Sequence, residues 1–212
     1  MSEPASGRFI TLEGGEGAGK STQVGRLKTW LEMRRRAVLA TREPGGSPGA
    51  EMVRKILVEG PAERWDGTTE ALLHFAARRD HLRSTVWPAL KRGTWVISDR
   101  FADSTRAYQG YGHGLDHAVL DRLYGVAVGD FRPDLTLMLD LPVEMGLARA
   151  AARQGAETRY ENLPRAFHER VRAGFLEIAA REPERCVVID ATQDVDAIAA
   201  AIAGTVGGRL GI

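Results

Sequence analysis

The chain has 212 residues, 43% of them hydrophobic and 27% charged, with a formal net charge of +1. That is ordinary globular composition and enough length for one sizeable core, so a single α/β domain over 1–212 is expected. The charge balance excludes a strongly basic nucleic-acid or membrane surface, no apolar run approaches the ~20 residues of a membrane span, and the lone Cys186 excludes an intrachain disulfide or cysteine-rich zinc site; a cytoplasmic setting fits.

Residues 1–8 lack a basic segment leading into an apolar stretch and read as a flexible tail rather than a signal peptide. Phe9-Ile10-Thr11-Leu12-Glu13 reads as the first strand, and the glycine-rich run Gly14 to Gly19 follows it directly. Gly19 to Glu32 reads as a helix, and Ala37 to Thr41 as the second strand. The run "REPGGSPG" breaks that strand with two prolines and three glycines. Pro48 to Val58 and Thr68 to Lys91 read as helices, the second long enough that Pro88 should kink or end it. Trp95 to Ser98 is the third strand. Asp103 to Gln109 reads as a short helix ended by "GYGHG", and Asp116 as the N-cap of a helix through Val128. Leu135 to Leu139 is the fourth strand. Val143 to Ala152 and Pro164 to Ala180 read as helices on either side of the interruption "RQGAETRYENLP". Val187 to Ile189 is the fifth strand and Asp194 to Val206 a closing helix.

Five short apolar runs alternating with helices predict a parallel sheet, its strands buried by helices on both faces. In such sheets ligands gather at the carboxyl ends of the strands, so a candidate site residue should follow a strand.

The stretch Gly14-Gly15-Glu16-Gly17-Ala18-Gly19-Lys20-Ser21 fits G-x-x-x-x-G-K-[ST] and passes that test, following a strand and opening a helix. Its glycines let several backbone N–H groups converge on one anion, and the helix N-terminus adds partial positive charge. Gly14 to Thr22 is therefore the expected ATP-binding segment, with Lys20 reaching the β- and γ-phosphates and the Ser21 hydroxyl ligating Mg²⁺. Lys20 is one of four lysines among 29 basic residues. Asp99 ends the third strand, beside that loop, and is expected to hold Mg²⁺ with Ser21. Arg100 follows it, with the planar fork that suits phosphate. Asp140 also ends a strand, where capping of the next helix is the expected role. A guanine-reading N-K-x-D element is excluded, because the one asparagine, Asn162, precedes Leu163. A motor or transport ATPase is usually longer than this chain.

Taken together, "EGGEGAGKST", "TREPGG", "FAARRDH", "GTWVISDRF", "STRAYQGYG" and "FRPDLTLMLD" resemble the bacterial thymidylate kinases over about Phe9 to Gln193. The resemblance implies a P-loop nucleoside monophosphate kinase fold with a short lid at about 149–162. It also implies transfer of the ATP γ-phosphate to dTMP with Mg²⁺, and a homodimer. By the same resemblance Arg100 grips the acceptor 5′-phosphate and is catalytic with Lys20 and Asp99. Arg78 donates to thymine O4, Thr105 meets the N3 edge with Gln109 assisting, Tyr108 stands beside the deoxyribose, and Pro44 is a cis proline, the residue before it helping to shape the acceptor site. Glu16 accepts from the 3′-hydroxyl. His74 occupies a position where the family commonly has a stacking Phe; either it stacks on thymine or Phe75 rotates in. Some members carry an arginine in the phosphate loop where this chain has Gly17. The compensating charge is then expected from lid arginines among Arg149, Arg153 and Arg159, with Arg153 as the catalytic cation and Arg149 over adenine. The alternatives are another monophosphate kinase, for UMP, CMP or AMP, and a nucleotide-binding regulator without turnover.

Overall fold

The computed structural model describes residues 7–61, 64–152 and 159–212. Five parallel strands, β1 (Phe9–Glu13), β2 (Val38–Arg42), β3 (Trp95–Asp99), β4 (Leu135–Asp140) and β5 (Cys186–Asp190), lie in the order β2-β3-β1-β4-β5. The three central strands are almost wholly buried, as their apolar runs predict. The outer two are not: β2 is half-buried, and in β5 only Cys186 and Ile189 are buried. The apolar pattern predicts burial on both faces for all five, but an edge strand meets neighbours on one side only.

Around the sheet run α1 (Lys20–Met33), α2 (Pro48–Val58), α3 (Gly67–His81), α4 (Trp87–Lys91), α5 (Ala102–Thr105), α6 (His117–Ala127), α7 (Val143–Ala151), α8 (Arg165–Arg181) and α9 (Val195–Leu210). Side-chain caps fix several starts. Asp66 accepts from Thr69 N, Asp116 from Ala118 N, and Asp194 from Asp196 N and Ala197 N. Each satisfies a helical N–H that lacks a partner within its own helix. The helix expected over 68–91 is divided: α3 passes through a π-helical turn, Leu82–Val86, into α4, with Pro88 in the first turn of α4. Proline has no N–H to donate, and the wide turn absorbs the loss. The segment expected to end near Gln109 likewise continues through a π-helical turn, Arg106–Gly112.

Alternation along the strands divides the core. Ile10, Leu12, Ile97, Leu135 and Leu137 face Leu27, Leu31, Ile198 and Ile202 of α1 and α9. Phe9, Val96 and Phe101 face the opposite side, with Phe75, Leu82 and Leu120. Phe75 is thus a core residue, edge-on to Tyr124 at 6.5 Å between ring centroids. It does not turn into the acceptor site.

The register sets the site. Leu12 pairs with Asp99 and Arg42 pairs with Asp99, so the carboxyl ends of β1, β2 and β3 lie side by side. The residues that follow these three strands share one cleft.

Candidate active site

The loop after β1 bends at Gly14 (φ 138°), Gly17 (φ 65°) and Gly19 (φ 84°), conformations that glycine adopts without a Cβ clash. Gly19 is the N-cap of α1 and supplies no side-chain cap, which leaves the first N–H groups of the helix open to an anion. Lys20 is only 8% exposed, and its Nζ donates to Gly14 O (3.1 Å) and Gly15 O (2.8 Å). Burial, with the Arg100 guanidinium adding to it, pulls its pKa down to about 8 against the pull of Asp99, Glu16 and Glu13. Ser21 Oγ donates to Asp99 Oδ2 at 2.6 Å. Two hard oxygen donors therefore meet at the end of the phosphate loop, a donor set that suits Mg²⁺ completed by phosphate and water.

Gly17 has a steric explanation. A Cβ there would lie 2.0 Å from Gly146 O, and one on Gly146 would lie 2.5 Å from Glu16 O. The loop backbone rests directly on α7, and no side chain fits between them.

Across the cleft, Arg100 is a hub with a left-handed backbone (φ 71°). Its Nη1 donates to Gly14 O and Ser104 Oγ, both at 3.0 Å. Its Nη2 donates to Glu16 Oε1 (3.0 Å) and to the Tyr108 hydroxyl (3.1 Å), which itself donates to Glu16 Oε1 at 2.6 Å. Burial acts to raise the Glu16 carboxyl, but Arg100 and Lys20 outweigh it and hold the pKa down at about 2. Glu16 is ionised and faces Arg100 and Tyr108.

Beyond this trio lies an open cleft lined by Glu43, Pro44, His74, Arg78, Thr105 and Gln109. Arg78, 2% exposed, crosses its wall. Its Nε donates to Glu43 Oε2 (2.7 Å), and its Nη2 donates to Phe101 O and Thr105 Oγ1 (3.1 Å each). Its buried Nη1 has no partner among the described residues. Burial raises the Glu43 carboxyl, but Arg78 and His81 dominate and leave its pKa below the ordinary value. His81 Nδ1 stands 3.0 Å from Glu43 Oε1, and its Nε2 stands 2.7 Å from Thr41 Oγ1. Gln109 Nε2 donates to Glu70 Oε2 at 2.8 Å, and Gln109 Oε1 is buried without a partner among the described residues. A carboxylate only accepts, so Glu70 fixes the orientation of the Gln109 amide, with Nε2 toward the carboxylate. His74 lines the cleft with its Nε2 3.1 Å from the Tyr160 hydroxyl. Burial and Arg78 depress its pKa to about 4, so the imidazole is neutral near pH 7. Pro44 follows a cis peptide bond from Glu43 and lines the same cleft.

Two expectations are corrected. Asp140 does not cap α7, whose N-cap is Pro142; it takes a two-pronged contact from Arg172 on α8, at 2.7 and 2.9 Å. Arg159 is not a cation facing the phosphate loop. It is buried, ion-paired to Glu70, and donates to Leu57 O and Pro61 O. Arg149 donates to Ala191 O in the loop after β5, at 2.9 Å. Arg153 lies outside the described residues.

Glu13, Arg54, Glu70 and Tyr160 also build the site, and the sequence reading does not single them out; Glu43 enters that reading only as the residue before Pro44. Glu13 and Glu43 follow the sheet rule, since Glu13 ends β1 and Glu43 comes just after β2. Glu70, His74 and Arg78 are spaced by four, a polar stripe within one helix that marks an inward polar face. Arg54 donates to Pro44 O at 2.7 Å, a contact across a loop that spacing does not reveal.

The family model for thymidylate kinase matches residues 12–202. A thymidylate kinase of Caulobacter vibrioides is 56% identical over 206 residues, covering 97% of this chain and 99% of the relative. One from Jannaschia sp. is 51% identical over 202 residues, covering 95% and 97%. The crystal structure of thymidylate kinase from Ehrlichia chaffeensis superposes with a TM-score of 0.77 at 33% identity, covering 95% of this chain and 99% of that one. The sheet order, phosphate loop and acceptor cleft thus coincide with a family match along nearly the whole sequence, and the chain belongs to the thymidylate kinase family.

Proposed function

We propose that the protein transfers the γ-phosphate of ATP to dTMP, giving dTDP for DNA precursor synthesis. The observation that carries this reading is that two residues lining the cleft, Arg78 and Gln109, each hold a buried atom without a partner among the described residues, the Arg78 Nη1 donor and the Gln109 Oε1 acceptor. Thymine offers a carbonyl at C4 beside N3–H, which complements a donor beside an acceptor. Cytosine presents an amino group and a bare N3, so both contacts would reverse and leave buried groups unpaired. Thr105 backs Arg78 at the N3 edge, and His74 supplies a neutral ring for stacking. Tyr108 would lie beside the deoxyribose, where a ribose 2′-hydroxyl would crowd it.

Arg100 would bind the acceptor 5′-phosphate, exchanging its contact with Gly14 O for a phosphate oxygen while Ser104 keeps its hold on Nη1. Glu16 would accept from the 3′-hydroxyl. The acceptor phosphate oxygen is already anionic and needs no strong base to attack the γ-phosphorus in line. Catalysis then rests on alignment and on positive charge from Lys20 and Arg100. Ser21 and Asp99 would hold Mg²⁺, which when bound neutralises charge on the β- and γ-phosphates. Arg149 would lie over adenine, and Arg153 would bring the cation that Gly17 leaves no room for. Arg153→Ala is expected to lower kcat at least tenfold with KM for dTMP within threefold; unchanged kcat removes Arg153 from that role.

The broader test is ADP release across dTMP, dUMP, dCMP, UMP, CMP and AMP. A tenfold or greater preference for dTMP over dCMP and every ribonucleotide is expected, and the reverse preference overturns the reading. A homodimer and a cytoplasmic setting complete the proposal. Exposed Met52, Leu72 and Val126 lie on α2, α3 and α6, which pack side by side and offer an apolar surface for a second copy.

A further inference from the structure

Glu13 is fully buried at the end of β1 and is not among the residues that line the acceptor cleft. Burial and the nearby Asp103 carboxylate push its pKa up to about 7, so its charge is costly in this place. Its two oxygens both serve the segment after Arg100. Oε1 accepts from Phe101 N at 2.7 Å, and Oε2 accepts from Ser104 Oγ at 2.5 Å. That same Ser104 oxygen accepts from Arg100 Nη1 at 3.0 Å.

Arg100 needs such support. A left-handed backbone costs a non-glycine residue roughly 1–2 kcal/mol, and it persists only where the surroundings impose it. Three bonds impose it here: Arg100 N donates to Leu12 O (2.9 Å), Ser98 Oγ donates to Arg100 O (2.7 Å), and Phe101 N donates to Glu13. Two of the three involve β1 itself, the strand that leads into the phosphate loop.

We propose that Glu13 is a positioning residue that fixes the Arg100 guanidinium against the acceptor phosphate, through the backbone at Phe101 and through the Ser104 hydroxyl. The phosphate loop and the acceptor-gripping arginine are thereby set by one buried side chain at their common root. Serine is the relay because its hydroxyl can donate to Glu13 and accept from Arg100 at once. The inference rests on Arg100 being the ligand of the acceptor phosphate.

The test uses Glu13→Gln, Ser104→Ala, the double variant and Arg100→Ala, with KM and kcat measured separately for dTMP and ATP and folding checked by thermal melting. In Glu13→Gln the amide still accepts from Phe101 N but presents N–H to Ser104, reversing that bond. Glu13→Gln and Ser104→Ala are each expected to lose about tenfold in kcat/KM for dTMP while KM for ATP stays within twofold. The double variant should be no worse than the weaker single one, because both break one chain of contacts. Effects that multiply in the double variant, an equal loss for ATP, or singles within twofold of wild type overturn the proposal. If Glu13→Gln does not fold, the split between dTMP and ATP in Ser104→Ala decides. A crippled Arg100→Ala beside unimpaired Glu13 and Ser104 variants overturns the brace alone. Unimpaired Arg100→Ala overturns the reading of Arg100, and the brace with it.

Discussion

Arg100→Ala is expected to lower kcat/KM for dTMP by on the order of 10³-fold, the largest activity loss of any single substitution in this site. Its guanidinium reaches the phosphate loop at Gly14, the acceptor side at Glu16 and Tyr108, and α5 at Ser104. Among the described residues no other side chain joins all three. Arg100→Lys is expected to recover little, because an ammonium carries the charge without the planar fork that two phosphate oxygens require. Stability should move differently from activity. The φ of 71° strains any residue with a Cβ, so Arg100→Gly is expected to be more stable than Arg100→Ala by about 1 kcal/mol while equally inactive. Steady-state kinetics and thermal melting of the three variants separate these effects. A Lys variant with near wild-type kcat/KM would show that charge alone suffices and would remove the fork from the mechanism.

The sheet was legible because β1, β3 and β4 are nearly continuous apolar runs, and a parallel strand buried on two faces has that pattern alone. The phosphate loop was legible because its residues are contiguous and each glycine answers a backbone requirement. The acceptor side was legible only through motif resemblance, which placed Arg78, Thr105, Tyr108 and Gln109 without saying how they are held. Their supports are hidden for a physical reason: Glu70 pairs with Arg159 across 89 residues and Glu13 with Ser104 across 91. Local periodicity carries no trace of such partners. The same limit explains Arg159. In sequence it is one more lid arginine; in three dimensions the carboxylate at Glu70 and two open carbonyls at the end of α2 and beyond claim it. Asp140 misleads similarly, since capping is a local inference and Arg172 arrives from a distant helix. Gly17 is the opposite case. Its absent side chain reads as a missing charge, and the structure adds that α7 leaves no space for one.

Glu70→Ala is expected to cause the largest stability loss, about 3–5 kcal/mol, seen as a fall in melting temperature of roughly 10 °C. Glu70 has 0% exposure and gathers Arg159, Gln109 at 2.8 Å, the Tyr160 hydroxyl at 3.3 Å and His113 Nε2 at 3.4 Å. Truncating it takes the Glu70 carboxylate away from a guanidinium that is itself 3% exposed, and a buried charge that loses such a partner costs more than the pair contributed. The sign with pH follows from the carboxyl. Burial raises its pKa, but the hydrogen bonds from His113, Arg159 and Gln109 prevail and hold it at about 2, below the ordinary 4.5. A depressed carboxylate pKa contributes stability above 4.5 that is lost as pH falls toward 2. The gap in melting temperature between wild type and Glu70→Gln should therefore narrow from pH 6 to pH 3; an unchanged gap would mean the charge is not its source. Function should change in the same variant through Gln109. Once an amide replaces the Glu70 carboxylate, the Gln109 amide can turn over and present N–H to the cleft, the face that cytosine prefers. Discrimination of dTMP against dCMP is expected to fall about tenfold, whereas ATP, proposed to bind at the phosphate loop, keeps its affinity.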